Sequence, residues 1–169
     1  MDTLIVDASK YLILVPLLMS LFIFMDLDKA KRKQFLLMVI IGGALSLLIA
    51  KIGSHFYTDP RPAFKDGVIP LFANNDYNGF PSDHTLLASF LAFVALYYSR
   101  MLGLLLIVAA ALIGWARVAA GVHHFVDIIG SFIITAVVVF ALTRIIDTRK
   151  PGIKARQKSE KLSGSKEKS

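Results

Sequence analysis

The sequence predicts an all-α fold, a polytopic membrane helix bundle of about five transmembrane helices. Three observations predict it. The composition is 56% hydrophobic with a positive mean hydropathy, above the roughly 45–50% usual for a soluble domain. Five apolar segments recur in 169 residues, most of them near the ~20 residues that cross a bilayer. The charge is placed unevenly: the net charge is +7, yet nine of the nineteen Lys and Arg fall in 144–169, after the last apolar run. That distribution marks a membrane protein with a basic tail rather than a basic binding surface. It excludes a disordered chain, a coiled coil and a typical nucleic-acid-binding domain, so no nucleic-acid partner is expected. Without cysteine there is no disulfide, thiolate chemistry or zinc–thiolate site.

The segments run roughly over 11–25, 35–57, 85–98, 101–120 and 126–146. The first reaches spanning length if it starts near Leu4. It has Asp2 and Asp7 rather than a basic start, and no small-x-small site precedes Asp26, so it reads as a retained helix and not a cleaved signal. The third is short, and Phe80 and Pro81 extend it. Gly42-Gly43 in the second and Gly130 in the fifth suit close helix packing. The expected organisation is one integral-membrane domain over 1–149 and a basic tail over 150–169. The tail has only Ile153 and Leu162 as larger aliphatic residues, too few to order it, and serves as a solvated topology anchor near anionic lipid.

Counting basic residues sets the orientation. Lys29, Lys31, Arg32 and Lys33, then Arg100, then the tail put fourteen on one side, against Lys10, Lys51, Arg61, Lys65 and Arg117 on the other. The positive-inside rule then places the N-terminus outside and the C-terminus in the cytoplasm.

The polar chemistry gathers on the predicted outer side, at the membrane–water interface. Ionisable groups at the ends of apolar helices are costly, which makes function their default reading. His123 and Asp127 are four apart and share one helical face. Asp127 can accept from one ring nitrogen, fix the tautomer and leave the other nitrogen a better nucleophile or base. Arg117 lies six residues earlier with Gly121 between, so a turn can bring a guanidinium beside the imidazole. Phe80-Pro81-Ser82-Asp83-His84-Thr85 reads as a helix start, whose free N–H groups favour anions, with His84 placed to give a proton to a leaving oxygen. Asp59-Pro60-Arg61-Pro62 holds a second arginine in extended backbone. Together these residues suit an anionic tetrahedral group. No carboxylate cluster suited to Mg²⁺ or Ca²⁺ is present. His123-His124-x-x-Asp127 is the one candidate for Zn²⁺, disfavoured by the arginine charges nearby. No metal or other cofactor is therefore expected.

Arg61-Pro62, Pro81-Ser82-Asp83-His84 and Arg117-x5-His123-x3-Asp127 resemble the three-part signature of the type 2 phosphatidic acid phosphatase superfamily of integral-membrane lipid phosphate phosphatases. The resemblance covers about 35–146. It implies that His123 is the nucleophile of a phosphohistidine intermediate and that Asp127 orients it. It implies that His84 is the general acid and later the base for water. Arg61, Arg117 and Ser82, with the backbone N–H groups near Ser82, would cradle phosphate. Three positions depart from the family pattern. Ser54 stands where the first motif has Lys, leaving Lys51 and His55 as the nearest basic residues; Ala116 replaces a Ser; and Asp83 replaces a Gly. A carboxylate beside phosphate is unfavourable unless it faces away or pairs with a cation. The FPSDHT form and the His123-His124 doublet look most like the bacterial undecaprenyl-diphosphate phosphatases of the bacitracin-resistance type. That likeness implies hydrolysis of a polyprenyl diphosphate to the monophosphate at the outer face. The alternatives are a phosphatase for phosphatidic acid or phosphatidylglycerol phosphate, a lipid phosphotransferase, and a non-enzymatic membrane protein.

The remaining polar residues have ordinary explanations. His124 is as well read as an interfacial histidine as a substrate contact. Trp115, Phe125, Tyr97 and Tyr98 fit aromatic belts. Asn74, Asn75, Asp76, Tyr77 and Asn78 fit turns, with a headgroup contact from Asn75 or Asp76 as the lesser reading. Partners are then a lipid phosphate and membrane lipid. A single five-helix bundle can enclose such a site, which permits a monomer.

Overall fold

A computed structural model of the chain describes residues 1–74 and 76–147. Asn75 and the tail over 150–169 lie outside the described residues. Among the described residues every extended element is helical, apart from one isolated bridge between Pro60 and Asn78.

Four stretches are long and apolar enough to cross a membrane: Asp2–Asp26, Lys29–Phe56, Arg100–Ala119 and Phe125–Asp147. The first is two helices, α1 (Asp2–Tyr11) and α2 (Leu14–Asp26), interrupted at Leu12 and Ile13. Pro16 explains the break. It cannot donate to the Leu12 carbonyl, and its ring crowds that carbonyl, which Val15 N bonds at 3.0 Å instead. The second stretch is α3 (Lys29–Leu37), a π-helical turn (Met38–Gly42) and α4 (Gly43–Phe56). It opens on Asp28, whose side chain accepts from Lys31 N at 2.9 Å as an N-cap. A single turn, α5 (Pro62–Lys65), begins with proline at its first position, where the missing N–H costs nothing.

The remaining expected span, the third along the chain, is α6 (Asp83–Tyr98), an apolar helix of 16 residues, about 24 Å long at 1.5 Å per residue. It is also the most enclosed helix, with Leu86, Ala88, Phe90, Leu91, Ala92, Val94 and Ala95 all buried. A helix covered by its neighbours has no lipid to match, so its length is free. α7 (Arg100–Ala119) folds straight back along it after Ser99, whose side chain accepts from Leu102 N at 3.5 Å. Small residues permit the contact. A Cβ on Gly103 would lie 2.2 Å from Leu96 Cα, and Ala88, Ala110 and Ile113 form a fully buried cluster between the helices. α8 starts at Phe125, and its described part is Phe125–Asp147. A polar seam joins it to α6: Ser89 Oγ and Thr135 Oγ1 are 2.9 Å apart, Thr135 donates to Ser131 O at 2.9 Å, and Ser131 donates to Ser82 O at 3.0 Å. Such hydroxyl bridges hold helices together where burial of apolar surface gives no drive. Gly130 lets the Phe80 ring lie against α8, since a Cβ there would be 2.1 Å from Phe80 Cε2.

The outward faces are apolar. Leu18, Phe22, Leu48, Ile52, Leu105, Val108, Ile129 and Ile133 are exposed, which in water would be one large adhesive patch. In a bilayer it is the surface a multi-pass protein needs. Residues 1–139 form one compact unit, and the described residues from 140 to 147 belong to a second. In the second, Thr143 Oγ1 donates to Phe140 O at 2.8 Å and the Arg144 guanidinium lies 4.6 Å from the centre of the Phe140 ring.

The α6–α7 contact predicts that Gly103→Val destabilises the fold by about 1–3 kcal/mol through overpacking. Gly53→Ala, whose Cβ would meet only the Phe80 ring at 3.5 Å, is expected to be near neutral. Thermal unfolding in detergent, followed by Trp115 fluorescence, measures both.

Candidate active site

One end of the bundle carries the loop between α4 and α6, closed over the junction between α7 and α8. The loop pins itself in antiparallel fashion: Arg61 N donates to Tyr77 O at 3.0 Å and Gly79 N to Asp59 O at 2.8 Å. Asn78 completes the bracket. Its Oδ1 accepts from Asp59 N and Phe80 N, each at 3.0 Å, and its Nδ2 donates to Ser54 O at 3.1 Å. Asn78 is thus more than a turn former. Gly79 must lack a side chain, since a Cβ there would lie 2.7 Å from Asp127 Oδ2.

This bracket brings Arg61 to His123. Arg61 Nη1 lies 3.1 Å from His123 Nε2 and donates to Val122 O at 2.7 Å, while its Nε donates to Asp76 O at 2.9 Å. Arg117 approaches the same ring nitrogen from α7, with Nη2 at 3.3 Å. Gly121, at φ 71°, makes the turn that joins them. On the other side His123 Nδ1 is 3.1 Å from Asp127 Oδ2, the contact that the four-residue spacing predicts. Guanidinium groups only donate, so Nε2 must accept and the ring proton sits on Nδ1, shared with Asp127. His123 is 2% exposed and Asp127 0%. Burial lowers the His123 pKa below its ordinary value; the bond to Asp127 opposes this, and the Arg61 and Arg117 charges add to the fall. Burial likewise lowers Arg61, against the nearby carboxylates of Asp76, Asp127 and Asp83.

Two buried atoms near His123 have no partner among the described residues, Arg117 Nε and Asp127 Oδ1. Arg117 is otherwise held by Ser9 Oγ at 3.4 Å and by the Phe72 ring, 5.5 Å from its guanidinium carbon. Ser9, Phe72 and Gly79 were invisible as site residues in the sequence, because their role depends on contacts across 45 or more residues or on absent side-chain volume, and Asn78 because its bracket closes across 19 and 24 residues. Only the Asn78-Gly79 dipeptide carried a local signal, and that signal is for a turn.

The other expected residues divide. His84, second in α6, is half-buried and within electrostatic reach of Arg117, Asp83 and His123. Ser82 is fully buried, but its contacts are structural. Its N donates to Asp127 O at 3.4 Å, its hydroxyl accepts from Thr85 at 3.2 Å and its carbonyl from Ser131. Lys51 and Asp83 line a cavity of about 390 Å³ together with Arg61, Asp76, Asn78 and Phe80. His55 is not on that wall; its ring stands edge-on to Phe56 at 5.3 Å. Leu47 and Asp83 also line a second cavity of about 290 Å³, otherwise walled by apolar groups of Val39, Gly43, Leu86, Phe90 and Leu91 with Ser46. A polar chamber therefore adjoins an apolar one between α4 and α6.

His124 does not face these chambers. Its Nδ1 is 2.6 Å from Asp59 Oδ2 and its Nε2 is 2.8 Å from Asp66 Oδ2. Asp59, His124 and Asp127 bring one donor atom each within 4.8 Å of one another. Most of their polar atoms are already engaged, Asp127 Oδ2 with His123 and with His124 N at 2.9 Å, and Asp59 with His124 and with Lys65 Nζ at 3.0 Å, while Asp127 Oδ1 has no partner among the described residues. Arg61, Arg117 and Lys65 would oppose a further cation.

The chain is similar to known proteins in sequence and in fold. Undecaprenyl-diphosphatase BcrC of Bacillus subtilis is 30% identical over 151 residues, 89% of this chain and 78% of that protein. Putative undecaprenyl-diphosphatase YbjG of Escherichia coli is 28% identical over 103 residues, 60% of this chain and 52% of that protein. The crystal structure of Aquifex aeolicus LpxE superposes with a TM-score of 0.67 at 27% identity, covering 85% of both chains. A PAP2-type phosphatidylglycerolphosphate phosphatase of Bacillus subtilis superposes with a TM-score of 0.64 at 20% identity, covering 87% of this chain and 77% of that one, and shows the fold alone. With residues 33–151 matching the PAP2 superfamily as well, the chain belongs to that superfamily and is a hydrolase of the lipid phosphate phosphatase kind, built into a membrane.

Proposed function

We propose that the chain hydrolyses a lipid diphosphate, undecaprenyl diphosphate first of all, to the monophosphate and free phosphate. The reaction takes place at the outer face of the membrane, with the N-terminus outside and the C-terminus in the cytoplasm. The observation that carries this reading is the His123 ring, with Asp127 on one nitrogen and two arginines at the other. A phosphate placed at Nε2 would take up the Arg61 and Arg117 donors, including the unpartnered Arg117 Nε. Nε2 then attacks the terminal phosphorus and forms a P–N bond as the bond from that phosphorus to the bridging oxygen breaks, leaving the lipid monophosphate. His84 gives its proton to the leaving oxygen. It next takes a proton from water, which attacks the phosphohistidine, releases phosphate and frees His123. The guanidinium charges stabilise the oxygens throughout, and no step needs a metal.

Two features support the diphosphate over a monoester. The relative with 30% identity is named an undecaprenyl-diphosphatase. The polar chamber beyond Arg61 also offers Lys51 to a second phosphate, next to an apolar chamber that fits part of a hydrocarbon chain.

Phosphate release from purified protein in detergent tests the reading. His123→Ala is expected to lose at least about a thousandfold in turnover, and wild-type activity is expected to survive EDTA. Loss on chelation rejects the metal-free scheme, and preference for phosphatidic acid or phosphatidylglycerol phosphate rejects the polyprenyl substrate. Transfer of phosphate to a lipid acceptor in place of release identifies a phosphotransferase.

The depressed His123 pKa sets the pH dependence. Nε2 must be unprotonated to attack, so the acidic limb of kcat/KM falls as the pH drops through that lowered value, while the need for a protonated His84 sets the alkaline limb. The acidic limb is expected below the ordinary histidine value of about 6.5, and a pH–rate profile locates it. Lys51→Ala is expected to reduce kcat/KM for a lipid diphosphate about tenfold, with little change for the matching monophosphate. Paired assays on the two lipids measure the ratio.

A further inference from the structure

We infer that His124 is a positioning residue: as an imidazolium it clamps both ends of the segment that carries Arg61 to the start of α8, and so fixes Arg61 against His123. The inference rests on the reading that Arg61 binds the substrate phosphate.

Start with the donors. His124 Nδ1 faces Asp59 Oδ2 at 2.6 Å and Nε2 faces Asp66 Oδ2 at 2.8 Å. An ionised carboxylate only accepts, and a neutral imidazole has one donor and one acceptor nitrogen. A neutral ring would therefore turn a lone pair toward one of the two carboxylates. Only the protonated ring satisfies both, through charge-assisted bonds. The charges around it agree. Asp59 and Asp66 face the ring from the loop and from the end of α5. Lys65 Nζ holds the other oxygen of Asp59 at 3.0 Å. On the α8 side Asp127 accepts from His124 N and is itself paired with His123. Burial opposes the charge on His124, but the bonds to Asp66 and Asp59 outweigh it and raise the pKa.

Then the geometry. Asp59 is 3% exposed, and its backbone is fixed by Gly79 N and by Asn78. Asp66 closes α5, its N donating to Pro62 O at 2.9 Å. Arg61 sits between these anchors as the cap residue before α5. Both anchors meet on one ring, and that ring adjoins His123 in the chain. The clamp thereby adds a tie between the Arg61 segment and His123 beside the bonds from Arg61 to Val122 O and Asp76 O. The sign follows. The clamp is complete while the ring is protonated and both carboxylates are ionised, and it weakens as the pH rises through the raised pKa, when one nitrogen stops donating.

The test uses the full-length protein in detergent with a lipid diphosphate as substrate. His124→Gln is expected to raise KM about tenfold with kcat changed less than about threefold. Asp66→Asn in the His124→Gln background should recover part of that loss, because it removes a carboxylate left without its cation. The wild-type enzyme should show an alkaline rise in KM that His124→Gln lacks. Nitrogen NMR of the histidine rings should find His124 protonated at both nitrogens at pH 7. Unchanged KM in His124→Gln, additive losses in the double variant, or a neutral His124 at pH 7 would each overturn the clamp. If His124→Gln does not fold, Asp66→Asn alone, at a partly exposed position, should still raise KM; no rise overturns the inference. Wild-type protein inactive on every lipid phosphate rejects the proposed function instead, and the NMR result stands apart from it.

Discussion

The opposed partners of His123 are the constraint on which the rest depends. A carboxylate on Nδ1 and two guanidinium groups at Nε2 fix the tautomer without reference to any ligand. Keeping three ionised groups beside a nearly buried ring is costly in a protein of this composition. The surroundings are arranged to meet that cost. Arg61 is held by two backbone carbonyls, and Arg117 by Ser9 and an aromatic face. Asp127 accepts a backbone N–H and stands clear of Gly79 only because that residue lacks a Cβ.

The bundle serves this centre by placing three helix ends at one level. α7 delivers Arg117, α8 delivers Asp127 just inside its first turn, and α6 delivers His84. The seam of Ser89, Thr135, Ser131 and Ser82 joins α6 to α8 directly beneath them. A slip between these two helices would separate His84 from His123, and the hydroxyl bridges resist it more specifically than apolar side chains could. Ser82, which its motif position suggests as a phosphate ligand, is part of this seam.

What the sequence revealed was what sits within a turn or two along the chain. The pairing of His123 with Asp127 follows from helical spacing, and the approach of Arg117 follows from a glycine between it and the histidine. The helix start at Ser82 was equally readable, as were the five apolar segments. The break at Leu12–Ile13 had its cause in plain view at Pro16, yet continuous hydrophobicity masked it. Across longer separations the residues gave no sign. Nothing near Asp59 indicates that it meets His124 across 65 positions, and Ser9 reaches Arg117 across 108. The sequence around His124 fits an interfacial and a ligand role equally. Its bonds to two carboxylates give it a third.

The brevity of α6 bears on how a lipid could be handled at all. Bilayer hydrocarbon is about 30 Å thick, and α6, about 24 Å long, is too short to cross it. Lifting a lipid into water would cost roughly 0.8 kcal/mol for every methylene exposed, prohibitive for a long chain. On the proposed function, a site at the end of so short a helix would remove that requirement. The headgroup would travel sideways at its own depth while the chain stays dissolved. After cleavage the two products would part by solubility alone, the inorganic fragment to water and the lipid back to the sheet it never left.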